Sequence, residues 1–204
     1  MTALIRAAME PSYPAAVTKV ISNRPKAKAI AVAQAAGIEA SVIDHRDFDG
    51  REAHEAAIIE ILEEDEPDFI CLAGYMRILT AGFVRRYSGR LLNIHPSLLP
   101  AFPGIDTHER ALAAGVRIHG ASVHFVTEGV DEGPVIAQAA VPVLVGDDAE
   151  SLAARVLEAE NRLYPHALQL VASGKARMSD GRVVYSGLDE GQSADTLFSP
   201  ALEP

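Results

Sequence analysis

The sequence predicts an α/β fold, a doubly wound and mostly parallel sheet with helices on both faces. Three observations predict it. Short apolar runs alternate with helix-length segments along the chain, the pattern of strands joined by crossover helices. Phe69–Ala73 is almost wholly apolar, as parallel strands covered on both faces tend to be. The run Leu91-Leu92-Asn93-Ile94-His95 ends in polar side chains and a proline-punctuated loop, Pro96 to Pro100, which is how a buried strand delivers chemistry at its carboxyl end.

In chain order, residues 2–9 are good helix formers ended by Pro11. Val17–Ser22 reads as a strand, and Pro25 then sits where a helix over Ala27–Ala36 begins, with Gly37 stopping it. Ala40–Asp44 is the next strand. Asp49 followed by Glu52 is a capping-box pattern for a helix over Gly50–Glu64, whose Ala53, Ala57, Ile58, Ile61 and Leu62 fall on one stripe. A helix over Thr80–Tyr87 separates Phe69–Ala73 from the Asn93 strand, and Thr107–Ala114 forms another, closed by Gly115. Ala121–Thr127 and Val135–Leu144 are β-like runs around a loop carrying Asp131, Glu132, Gly133 and Pro134. Asp147 with Glu150 predicts a second capping box, launching a helix over Ala149–Ala172 with a kink at Pro165. Asp180-Gly181 is a hairpin signal between Ala176–Met178 and Arg182–Tyr185.

Residues 1–186 are expected to form one domain, and the acidic, turn-rich stretch 187–204 a disordered tail. A single cysteine, Cys71, lies inside an apolar run, so the chain has no disulfide framework or cysteine-based zinc site and reads as a cytoplasmic protein. A net charge of −10 argues against nucleic-acid or anionic-membrane partners, and a phosphate-bearing partner would need a local site. No apolar run reaches membrane-spanning length.

Strand side chains alternate, so Asn93 and His95 share a face and Ile94 takes the other. That face carries an amide donor beside an imidazole. His124 shares a face with Ser122 on the later strand, and Asp131 lies in a loop that could return a carboxylate over it. A carboxylate beside an imidazole favours the cation, which suits a general acid near neutral pH. Spacing alone leaves open that His95 is a core histidine and Asp131 a turn cap. It also leaves open a two-histidine, one-carboxylate metal set of His95, His124 and Asp131, although Asn93 beside His95 suits an oxyanion better than a cation.

Asn93-Ile94-His95-Pro96-Ser97-Leu98-Leu99-Pro100, followed by Phe102-Pro103-Gly104 and Thr107-His108, resembles the signature of the phosphoribosylglycinamide formyltransferase family. The resemblance extends through Leu72–Leu79, His119–Val126 and Asp131–Ile136. It implies transfer of a formyl group from 10-formyltetrahydrofolate to the amine of glycinamide ribonucleotide in purine synthesis, without a metal or covalent intermediate. Formyltransferases acting on initiator methionyl-tRNA, and the hydrolase that deformylates the folate, share the Asn-x-His strand and the later Asp. They resemble this chain less in Pro103–His108. Deformylation, or folate binding without transfer, stays open as an alternative, as does monomer against homodimer.

By this resemblance Asn93, His95 and Asp131 are the catalytic trio. Arg51 and the segment Met76, Arg77, Ile78 and Leu79 match positions that contact the folate, with Asn93 and the loop beginning at Thr127 beside them. Glu160 matches a carboxylate that takes the ribose hydroxyls, and His124 a supporting histidine. In the family, the helix matching Ala3–Met9 follows a first strand and a Gly-x-Gly-Ser-Asn turn that cradles phosphate with backbone N–H groups. The sequence begins at Met1, inside that helix. The expectation is therefore of a fold lacking a central strand, whose neighbours face a gap, with a natural start further upstream and weakened folding or substrate binding.

Overall fold

The computed structural model describes residues 1–188 and Ser199; most of the stretch expected to be a disordered tail lies outside them. Helix α1 (Thr2–Ala8) leads to β1 (Lys19–Ser22), α2 (Lys28–Ala35) and β2 (Glu39–Val42). A 3-10 turn at His45–Asp47 precedes α3 (Arg51–Asp65), β3 (Ile70–Leu72), α4 (Ala81–Arg86) and β4 (Leu91–His95). Then come α5 (Thr107–Ala113), β5 (Ile118–Phe125), β6 (Val135–Pro142), α6 (Ala149–Ala172) and the hairpin β7 (Ala176–Ser179) with β8 (Arg182–Tyr185).

Strands β1 and β2 pair in parallel. The larger sheet has the order β3-β4-β5-β6, with β3 parallel to β4 and β5 antiparallel to both its neighbours. All its strands except β5 therefore run one way. Among the described residues no ladder joins β1 to β3. Alternation along β3 and β4 sorts the core into two layers. Ile70, Leu72 and Leu91 pack with Ile58 and Leu62 of α3 and Phe83 and Val84 of α4. Cys71, Leu92 and Ile94 face the opposite cluster, where Leu152, Val156, Leu163, Tyr164 and Leu168 of α6 are buried. Each of these large side chains contributes roughly 1.5–3 kcal/mol of burial.

Three local expectations change. The box that opens α6 is formed by Asp148 and Ser151, because Asp147 is engaged by Arg155 at 2.7 and 2.9 Å and by the Leu144 N–H. That guanidinium holds the Asp147 carboxyl well below the usual range. α3 starts at Gly50, whose φ of 119° favours glycine, and no Asp49 side chain caps it. Of its expected stripe, Ala57, Ile58, Ile61 and Leu62 pack into the core and Ala53 is exposed, while the polar His54 and Glu55 turn inward near the helix start. Pro165 lies inside α6, and its carbonyl accepts the Tyr13 hydroxyl at 2.7 Å. The β7–β8 hairpin turns on Asp180 and Gly181, both with φ near 50–70° (49° and 72°) as a two-residue primed turn requires. No helix among the described residues is long and apolar enough to cross a membrane.

Candidate active site

Register places the polar groups. Antiparallel pairing sets Asn93 opposite His124 and His95 opposite Ser122, and side chains directly opposite lie about 4.5–5.5 Å apart at Cβ. The Asn93 amide nitrogen is 3.3 Å from His124 Nε2. His124 is almost wholly buried, and burial lowers its pKa, the Phe125 carbonyl and Asp131 opposing. Its Nδ1–H donates to the Phe125 carbonyl at 2.9 Å. The neutral ring then has a lone pair on Nε2, which accepts one Asn93 N–H and leaves the second for the crevice.

His95 is buried at 5 % exposure and both its nitrogens face acceptors. Nε2 lies 2.9 Å from the Phe102 carbonyl and Nδ1 3.3 Å from Asp131 Oδ2. Only the imidazolium donates to both. Asp131 Oδ2 also accepts the Gly104 N–H at 2.8 Å, and Oδ1 is 3.7 Å from His124 Nε2. Asp131 therefore sits between the two histidines, reached by a tight turn after β5. Phe125 N–H donates to the Pro134 carbonyl at 3.0 Å, folding residues 131–134 back over the strand ends. Gly133 makes this possible, since a Cβ there would stand 1.7 Å from the Phe125 carbonyl oxygen. Phe102 and Asp131 have φ of 53° and 55°, left-handed conformations costing roughly 1–2 kcal/mol each. Both contribute a group that touches His95.

The loop following His95 is pinned by side chains whose role the sequence does not announce. Ser122 Oγ donates to the Ser97 carbonyl at 2.7 Å and accepts the Leu99 N–H at 2.9 Å. Gln138 Nε2 donates to Ser122 Oγ and to the Leu99 carbonyl. Behind the loop His119 is buried, faces the Pro96 carbonyl, and has its pKa pushed down to about 4, first by desolvation and then by neighbouring His108. Its ring meets Phe102 edge-on at 5.8 Å and His108 at 5.3 Å. Alternation in the sequence puts Ser122 on the face of His124, whereas the pairing of Gln138 across from Ser122 comes from the strand register.

The remaining sequence-predicted residues fall at other points. Met76–Leu79 follow β3, next to β4, with Met76 and Ile78 exposed. Arg51, at the first turn of α3, donates to the Ile78 carbonyl at 3.3 Å. Thr127 follows Val126, whose N–H donates to the Leu91 carbonyl at 2.8 Å. Glu160 lies on α6 one turn before Tyr164, whose hydroxyl bridges the Leu72 and Leu92 carbonyls at 2.9 and 3.1 Å. Burial raises the Glu160 pKa. Among the described residues no three His, Cys, Asp or Glu side chains are placed to hold a metal ion, and the His124 lone pair a metal would need is taken by Asn93.

Comparison with known proteins agrees with the geometry. The family model described as "Formyl transferase" matches residues 1–168. The phosphoribosylglycinamide formyltransferase of Escherichia coli is 42% identical over 187 residues, 92% of this chain and 88% of that protein. The bovine trifunctional purine biosynthetic protein adenosine-3 is 49% identical over 186 residues, 91% of this chain, which spans only 18% of that protein's length. The crystal structure of phosphoribosylglycinamide formyltransferase from Brucella melitensis superposes with a TM-score of 0.82 at 59% identity, covering 85% of this chain and 90% of that one. Relatives that it covers nearly end to end, such as that of Escherichia coli, are phosphoribosylglycinamide formyltransferases, and this chain therefore belongs to the formyl transferase family.

Proposed function

We propose that the chain transfers a formyl group from 10-formyltetrahydrofolate to the amine of glycinamide ribonucleotide. The observation that carries the reading is the Asn93, His95, His124 and Asp131 cluster at the carboxyl end of β4, with 3.3 Å between His95 Nδ1 and Asp131. The amine nitrogen attacks the formyl carbon, and the carbonyl electrons move onto oxygen. Collapse breaks the bond from that carbon to the folate nitrogen. One proton leaves the amine nitrogen and one reaches the folate nitrogen, so charge balances.

The oxygen's negative charge is met by the second Asn93 N–H, and one preorganised donor of this kind is worth about 100- to 1000-fold in rate. Both His95 N–H groups are committed to Phe102 and Asp131, so His95 acts on the oxyanion chiefly through its positive charge. Asp131 supports that charge and is placed to relay a proton through a water. His124 acts through Asn93 by fixing which amide proton is free. Arg51, Met76–Leu79 and Thr127 take the folate, and Glu160 the ribose hydroxyls. No metal enters.

The test is a transfer assay following consumption of both substrates. Formylated ribonucleotide forming in step with deformylated folate is expected. Formate release at the same rate without the ribonucleotide would replace the reading with a hydrolase, and folate binding without either product with a binding protein.

A further inference from the structure

Among the described residues, one carboxylate outside the catalytic cluster stands without a cation. Glu55 of α3 is buried at 4 % exposure. Its two oxygens are used on one residue: Oε1 accepts the Thr80 N–H at 2.9 Å and Oε2 accepts the Thr80 hydroxyl. Thr80 is the N-cap of α4 and its Oγ1 accepts the Phe83 N–H at 3.3 Å. Glu55 thus holds from a separate helix the residue where the β3–α4 loop ends.

One turn earlier on the same helix face, Arg51 donates to the Ile78 carbonyl. Two successive turns of α3 therefore grip Ile78 and Thr80. Within the loop, the Tyr75 hydroxyl lies near both Arg77 and Glu55. Burying a carboxylate costs free energy unless its hydrogen bonds are worth more, and capping alone is done at other helix starts here by exposed side chains such as Asp148. Gripping the loop gives the buried acid a use.

We propose that Glu55 is a positioning residue that fixes the Met76–Leu79 backbone through Thr80 and so sets affinity for the folate co-substrate. This rests on the reading that Met76–Leu79 takes the folate. Glu55 touches no reacting atom, so its loss changes the folate KM and not the chemical step. A charge-assisted hydrogen bond of this type corresponds to a loss of about tenfold or more.

The experiment compares wild type, Glu55→Gln and Glu55→Ala by steady-state kinetics and by amide hydrogen exchange without ligand. Glu55→Ala is expected to raise the folate KM about tenfold, with kcat and the ribonucleotide KM within about twofold. Glu55→Gln, which can still accept the Thr80 N–H, recovers most of the loss. Exchange at Ile78–Phe83 rises in Glu55→Ala and returns toward wild type in Glu55→Gln. Unchanged exchange overturns the clamp; faster exchange with an unchanged folate KM, or equal losses in every kinetic constant, overturns its role in affinity. Wild type that binds no folate overturns the formyltransferase reading, and the exchange arm still decides the clamp.

Discussion

Asp131→Asn separates charge from shape at the centre of the site. The substitution is nearly isosteric, asparagine tolerates the left-handed φ of 55° at this position, and its carbonyl oxygen can still accept the Gly104 N–H. What is lost is a negative charge 3.3 Å from His95, with both side chains largely buried. At an effective dielectric constant of about 20 the direct attraction is about 5 kcal/mol. Desolvation takes back part of it, leaving roughly 1.5–4 kcal/mol for a close, largely buried pair. If the charge on His95 serves the transition state, kcat falls about 10- to 1000-fold. Folate affinity by calorimetry should stay within about threefold, while Tm falls by about 3–15 °C, because the lost attraction also holds the folded state. A kcat within threefold of wild type, in a variant still folded at the assay temperature, refutes the reasoning that the Asp131 charge supports catalysis.

His119 gives a pH test. Its pKa is about 4 folded against an ordinary 6.5, so the unfolded chain binds the extra proton: the penalty is absent above pH 6.5 and grows as pH falls toward 4, by at most about 3 kcal/mol. His119→Asn, which keeps a polar group facing the Pro96 carbonyl, should flatten the slope of urea-derived stability between pH 6.5 and 5; an unchanged slope removes His119 as its source. Gly133→Ala forces a Cβ onto the Phe125 carbonyl, and is expected to cost about 1–3 kcal/mol, lowering Tm by about 2–4 °C per kcal/mol. It should lower kcat as well, because the displaced turn carries Asp131; a fully active variant of normal Tm would show that the turn relaxes freely. Glu160→Gln should raise the ribonucleotide KM about tenfold, one charge-assisted hydrogen bond's worth, and leave the folate KM alone. Equal changes in both would take Glu160 out of the ribose site.

What could be read in the sequence is what periodicity encodes. The alternation that sets Asn93 and His95 on one face and Ile94 on the other holds in the layers of the core, and α6 spans the expected Ala149–Ala172. What could not be read depends on groups without side-chain identity or on distant partners. The acceptor for His95 Nε2 is the Phe102 carbonyl, a backbone atom that every residue possesses. The α6 cap moved by one residue because Arg155, eight positions away, claims Asp147. Nothing in the sequence sets Glu55 apart from the other acids of α3, because its burial depends on Thr80 of another element resting on it.

The cluster is also a consequence of strand direction. Were β5 parallel to β4, ladder bonds would be slanted and residues directly opposite would not exchange paired bonds. Because β5 runs against β4, its own carboxyl end lies at the start of β4, and the chain leaves it by Val126 donating to the Leu91 carbonyl. Asp131 must therefore travel back along β4 to reach His95, and the register break between Val123 and His124, with the turn at Gly133, shortens that return. A one-residue slip of β5 would turn His124 to the opposite face, freeing the lone pair that now orients Asn93. The oxyanion donor, the charged ring and its carboxylate are thus held by a single antiparallel pairing and the turn that follows it, which is why substitutions at Gly133 and Asp131 should act on the same rate constant from different directions.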